Sequence, residues 1–168
     1  SVRLLYTNGG ADAPVTTTAY LAYDASVLYI AFESCEPDRA NIRAEVGRRD
    51  DPVFQDDSVE VFIDPTNRRK EYYHFATNTL ETIFDQKVSN PAWDTDWRTA
   101  SRVDATSWTT EIAIPFSSLG VAAPSPGSRW ALNLTRNRRV TGELEHLTWA
   151  VPYGSFHNAE RFGLAVFR

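Results

Sequence analysis

The feature that most constrains this chain is how regularly its β-forming runs are cut short. Thr16 to Tyr23 (TTTAYLAY) meets the turn Asp24-Ala25-Ser26 and resumes as Val27 to Phe32 (VLYIAF), which reads as a hairpin. Ser58 to Asp64 (SVEVFID) alternates strictly and stops at Pro65, a residue that cannot continue a central strand. Tyr72 to Thr77 and Leu80 to Asp85 flank Asn78-Thr79, and Arg98 to Val103 and Trp108 to Ile114 flank Asp104 to Ser107. Arg129 to Arg136, His146 to Val151 and Phe162 to Phe167 complete about ten runs. Short strands with turn signals at such regular spacing predict an all-β fold. The expected architecture is an antiparallel β-sandwich of two sheets, of jelly-roll or immunoglobulin-like type. Helical pattern is confined to Arg39–Val46 and to one turn at Pro115–Leu119, which Gly120 would cap. The loop Val121–Ser128 holds two Pro and one Gly and does not divide domains, so residues 1–168 read as a single domain.

Composition enters where it separates function classes. Five Trp, seven Tyr and nine Phe with no Met favour pleated, half-buried surfaces. A net charge of −5 argues against a surface for nucleic acid or anionic lipid. Cys35 is the single cysteine, which leaves no disulfide framework and no cysteine metal site. No run has the apolar length of a membrane span. The chain opens on Ser1 and not Met, as expected of a processed or excised piece, so the lack of a signal-peptide pattern does not exclude secretion.

The segment from Asp50 to Asp64 (DDPVFQDDSVEVFID) concentrates acids and aromatics. In a strand the neighbours of Glu60 point to the opposite face, so if Val59 and Val61 face the core, Glu60 and Ser58 face outward. Two readings of Glu60 stand: an acceptor for sugar hydroxyls, or the partner of a basic residue on the next strand. The aspartates could gather oxygens for calcium, which takes six to eight, or could cap turns. No nucleophile elbow, phosphate-binding glycine loop or zinc motif is present, and His74, His146 and His157 are scattered without ligand spacing. The residues offer no support for an enzyme.

Several blocks, in order, resemble the family 9 carbohydrate-binding modules and the wider group of secreted family-9-like domains. These are AYLAYDASVLYIAFESCEPD, RRDDPVFQDDSVEVFIDP, YYHFATNTLETIFD, WTTEIAIPFSSLG, GSRWALNLTRNRR, LTWAV and SFHNAERFG. They span roughly Val15 to Arg168. The family usually carries more sequence before its first hairpin, so an amino-terminal segment is expected to be missing here. The resemblance implies a non-catalytic module that grips terminal sugar units between two aromatic side chains. Those positions fall on Phe54, six residues before Glu60, and on Phe156, six before Phe162. It implies Glu60 and Asn78 as polar contacts. The family's arginine falls on Ala76 and its glutamine on Thr135, and Arg136 and Asn137 are the candidates to supply donors instead.

Structural calcium is a further family trait, with Asp56 and Asp57 as the candidate ligands. The implied partners are a mono-, oligo- or polysaccharide and the other domains of a larger secreted protein that acts on glycans. Two alternatives remain. Related sandwiches carry haem, which here would require two of the three histidines to converge, since no Met is available. The Ala76 departure also fits a structural or docking domain without ligand. Of the tryptophans, Trp108, Trp130 and Trp149 read as packing residues. Trp93 and Trp97 fit equally a glycan-stacking loop or a plug at the sandwich end.

Overall fold

A computed structural model describes residues 1–88, 90 and 92–168, and within them twelve strands form two antiparallel sheets. The strands are β1 (Val2–Arg3), β2 (Tyr6–Thr7), β3 (Thr17–Tyr23), β4 (Val27–Cys35), β5 (Ser58–Asp64) and β6 (Tyr73–Asn78). They continue with β7 (Ile83–Lys87), β8 (Arg98–Val103), β9 (Ser107–Pro115), β10 (Arg129–Arg138), β11 (Glu145–Thr148) and β12 (Gly163–Val166). One sheet has the order β1-β3-β4-β9-β8. The other runs β2-β11-β10-β5-β6-β7, with β12 also paired to β10.

The period-2 pattern sets which residues meet between the sheets. Leu28, Ile30 and Phe32 of β4 and Ile112 and Ile114 of β9 face Val59, Val61 and Ile63 of β5, Phe75 of β6, and Leu132 and Leu134 of β10 in one core. Each such side chain contributes about 1.5–3 kcal/mol when fully buried. Trp108 and Trp130 belong to this core, and Trp149 packs against it. Trp97 is buried, with its indole N–H donating to Asp85 at 2.9 Å and its ring edge-on to Phe75. Trp93 leans on Tyr73. Both therefore plug the end of the sandwich.

The expected strands are present, with three local differences. The two-residue strands β1 and β2 are too short to leave a pattern in sequence. The helix expected over Arg39–Val46 is a single 3₁₀ turn, Arg39–Asn41. Beyond it, the Asp57 carboxylate takes the backbone N–H of Arg43, and that of Asp56 takes those of Glu45 and Val46, which holds the segment extended. The turn after β6 is longer than the Asn78-Thr79 pair, because Asn78 Oδ1 accepts from the N–H groups of Leu80 and Thr82. The turn at Phe116–Leu119 does end at Gly120 in the left-handed region (φ 66°), as its glycine predicts.

What positions the site is a second, smaller core on the outer face of the larger sheet. Phe62, Tyr72, Ala131, Phe156, Ala159 and Phe162 pack there. Asn133 on β10 fastens the descending chain, accepting from Ala150 N–H and donating to its carbonyl. The closing Phe162-Gly163 pair is fixed by contact: a Cβ on Gly163 would lie 2.5 Å from the Trp149 ring.

Candidate functional site

Under this covering segment lies a cavity of about 200 Å³. Its walls include Phe54, from the turn before β5, and Phe156, from the descending chain, and its polar side is formed by Glu60, Asn137, His146 and His157. Asn8 and Ser155 complete the rim. Asn8 donates to Gly154 O at 3.2 Å and ties the amino-terminal segment to that rim. Phe54 is half-buried and braced edge-on by Phe84 at 5.6 Å. Phe156 is more enclosed, 8% exposed, between Phe62 and His146.

Strand register explains the polar cluster. Glu60 sits opposite Thr135 on one neighbouring strand and Ala76 on the other. The side chains that reach it come from two residues further along each strand, on the same face. His74 Nε2 lies 2.6 Å from Glu60 Oε2, and Asn137 Nδ2 donates to Oε1 at 2.6 Å and to Ser58 Oγ at 3.1 Å. Thus an imidazole stands where Ala76 offers nothing, and an amide supplements the Thr135 hydroxyl. His146 Nδ1 donates to Asn137 Oδ1 at 2.8 Å, and His157 Nδ1 pairs with the Tyr72 hydroxyl at 2.7 Å. The second ring nitrogens of His146 and His157 have no protein partner among the described residues.

Burial pushes the Glu60 carboxyl up, but the hydrogen bond and charge of His74, with the Asn137 hydrogen bond, more than offset it. Its pKa lies below the ordinary glutamate value. Burial lowers both His146 and His157, the latter also through His74. At neutral pH the cavity thus presents the Glu60 carboxylate and the neutral imidazoles of His146 and His157, a set that accepts and donates hydrogen bonds.

Of the residues anticipated from sequence, Phe54, Glu60, Asn137 and Phe156 converge on this cavity, and two others do not. Asn78 spends its amide on Val46 O (2.8 Å), Asp56 Oδ2 (2.9 Å) and the turn N–H groups. Arg136 points between the sheets, where it is fully buried, paired to Glu36 at 2.8 Å and stacked over Trp108. Its position one residue from Asn137 puts it on the opposite face. Asp56 and Asp57 do not fit a calcium site as they stand. Asp56 Oδ2 is taken by two backbone N–H groups and Asn78, and Asp57 by those of Arg43 and Arg139. Only Asp56 Oδ1 lacks a hydrogen bond, and it faces Arg43 Nε at 3.7 Å. One carboxylate oxygen beside a guanidinium is far from a cage of six to eight oxygens.

The histidines are the correction in the other direction. Scattered in sequence, all three gather around Glu60, with the His74 and His157 rings in perpendicular contact at 5.2 Å. The signal for them was register: His146 lies opposite Asn137, and His74 opposite Phe62. That contact leaves no space for a porphyrin between these two rings, so the pair does not fit a haem.

Residues 3–168 match the model of a family described as carbohydrate family 9 binding domain-like. Among solved structures, the chain is similar to one from Bacteroides uniformis provisionally assigned to carbohydrate binding. The two share 17% identity and a TM-score of 0.76, covering 98% of this chain and 83% of that one. It is also similar to a family 9 carbohydrate-binding module from Caldicellulosiruptor kristjanssonii in complex with glucose (18% identity, TM-score 0.72, 94% and 79% covered). A family 9 carbohydrate-binding module from Caldicellulosiruptor kristjanssonii in complex with cellotriose gives 18% identity, a TM-score of 0.70, and 93% and 76% covered. No curated protein sequence matches the chain.

Proposed function

This chain belongs to the carbohydrate family 9 binding domain-like family and is a carbohydrate-binding module; from that premise we propose that its cavity holds one terminal sugar unit of a glycan. The observation that carries this is the convergence of Phe54, Phe156, Glu60 and Asn137 on a single pocket of about 200 Å³. Sites that engulf drug-sized ligands run to about 300–1,000 Å³, so this one suits a single ring rather than the middle of a chain. Phe54 presents a ring to the C–H face of the sugar. Glu60 accepts from hydroxyls, and the open nitrogens of His146 and His157 complete the polar contacts. Glucose is the first candidate, since the module from Caldicellulosiruptor kristjanssonii holds it on the same fold.

The reading is of binding without turnover. Glycoside hydrolysis uses two carboxyl groups flanking the bond, and Glu60 is the only acid among the described residues that line the cavity. The role that fits is an accessory domain of a larger secreted protein of polysaccharide degradation, keeping its partner domains near the substrate.

Calorimetric titration with glucose, galactose, xylose and cellobiose tests this. The expected result is saturable one-site binding of at least one sugar, weakened about tenfold or more by Glu60→Gln, which removes a charge-assisted hydrogen bond. Phe54→Ala should weaken it about fivefold. Folded protein that binds none of the four would point to a docking domain, and variants that bind like the parent would remove Glu60 and Phe54 from the site.

A further inference from the structure

The opposite outer face of the sandwich lies open to solvent along four strands. The outward positions of β3, β4, β9 and β8 alternate with the core positions and lie side by side in register. Tyr20 pairs with Ala31, which pairs with Glu111, which pairs with Ala100. The adjacent row is Ala22, Tyr29, Ala113 and Arg98. Alanines thus form a low floor between tyrosines on one side and Arg98 on the other, a groove of about 510 Å³. A second depression of about 580 Å³ shares Tyr29, Arg98 and Ala113 and continues the groove toward Asp96 and Pro115. With interstrand gaps of about 4.8 Å, four strands make the surface about 14 Å across.

Both rings are solvent-exposed, Tyr20 by 47% and Tyr29 by 42%. Each is held at its far end: the Tyr20 hydroxyl donates to Glu33 at 3.1 Å and that of Tyr29 to Asp24 at 3.0 Å. Each hydrogen bond biases its ring toward one position, which lowers the ordering cost of stacking against it. Arg98 and Glu111 are diagonal neighbours on the floor, yet among the described residues neither forms an ion pair. The groove so combines two aromatic platforms with one open donor fork and one open acceptor of opposite charge. A neutral, polyhydroxylated partner complements that set, since its hydroxyls satisfy both charges and its C–H faces cover the rings.

We propose that this tyrosine-alanine groove is a second, independent glycan site that takes an extended stretch of chain. Its continuation past Tyr29 toward Asp96 and Pro115 suits several consecutive sugar units, in contrast to the smaller cavity of about 200 Å³. The two sites lie on opposite outer faces, with both sheets between them, so the proposal does not depend on the cavity's own ligand. One domain could then hold two glycan segments at once.

The test is calorimetry of the full chain with cellohexaose, xylohexaose and mannohexaose, set beside glucose. The parent should bind at least one hexasaccharide at two sites. Phe54→Ala should retain the hexasaccharide site at the groove. The double variant Tyr20→Ala/Tyr29→Ala should keep its response to glucose while hexasaccharide affinity at that site falls about tenfold. Ala100→Arg, which fills the floor without removing a ring, should do the same and covers the case in which the double variant folds poorly. The proposal is overturned if no hexasaccharide binds to Phe54→Ala, or if the groove variants bind hexasaccharide like the parent. It is equally overturned if they only abolish self-association, which would make the face a contact between copies. A parent protein that binds hexasaccharide at the groove but gives no response to glucose would count against the cavity reading alone.

Discussion

The outer faces of the two sheets begin from the same alternating strand pattern and end in opposite environments. On the larger sheet the outward residues Glu60, Phe62, His74, Asn133 and Asn137 are all buried, because the turn before β5 and the chain descending from Ala150 cross over them. On the smaller sheet Tyr20, Tyr29 and Arg98 remain at the surface. The difference lies not in the strands but in what the loops do. Covering a face turns a row of polar side chains into a fixed network, because each buried group must find a partner. Leaving a face open keeps its side chains available but holds them less firmly. One face therefore offers a small pocket lined by a fixed polar network, and the other a broad, shallow groove.

Removing a ring from each face should show the contrast most strongly. Phe62→Ala, in the covered layer, is expected to cost about 3–5 kcal/mol of stability. Tyr20→Ala, on the open face, should stay within about 1 kcal/mol. Chemical denaturation of both variants gives the comparison directly, and similar losses would mean that the covering segment contributes little packing.

A smaller effect should appear with pH. The pKa values of His146 and His157 are lowered on folding, so their contribution to stability is complete above about pH 6.5, the ordinary histidine value, and declines as pH falls below it. Glu60, also lowered, adds a further decline below about pH 4.3. Both signs agree, so acid should loosen the covered face first. Thermal melts from pH 8 to 4 should show Tm dropping from about pH 6.5 downward, and replacing both histidines by Gln should flatten the upper part of that drop.

Most of the fold could be read from the chain because strand alternation is a local property. The hairpin at Asp24 and the strand SVEVFID needed only their own residues to be recognised. The site was legible in part. The side of β5 that carries Glu60 follows from period two alone, and the aromatic positions Phe54 and Phe156 came from the family resemblance. What could not be read was the partner of each group. Arg136 looked like a donor near the site until register turned it toward Glu36, and Asn78 until its amide was found holding the turn after β6. His74 and His146 are brought together by the pairing of β5 with β10, strands far apart in sequence, and His157 by the segment that crosses over them. Such contacts leave no periodic trace.

The central claim is that the covered cavity around Glu60 receives a single sugar unit, and nuclear magnetic resonance during a glucose titration tests it most directly. With the histidine ring signals assigned, those of His146 and His157 should move saturably with the sugar while the rings of Tyr20 and Tyr29 stay still. Saturable shifts confined to the tyrosine face, with the histidine signals unmoved, would contradict the account.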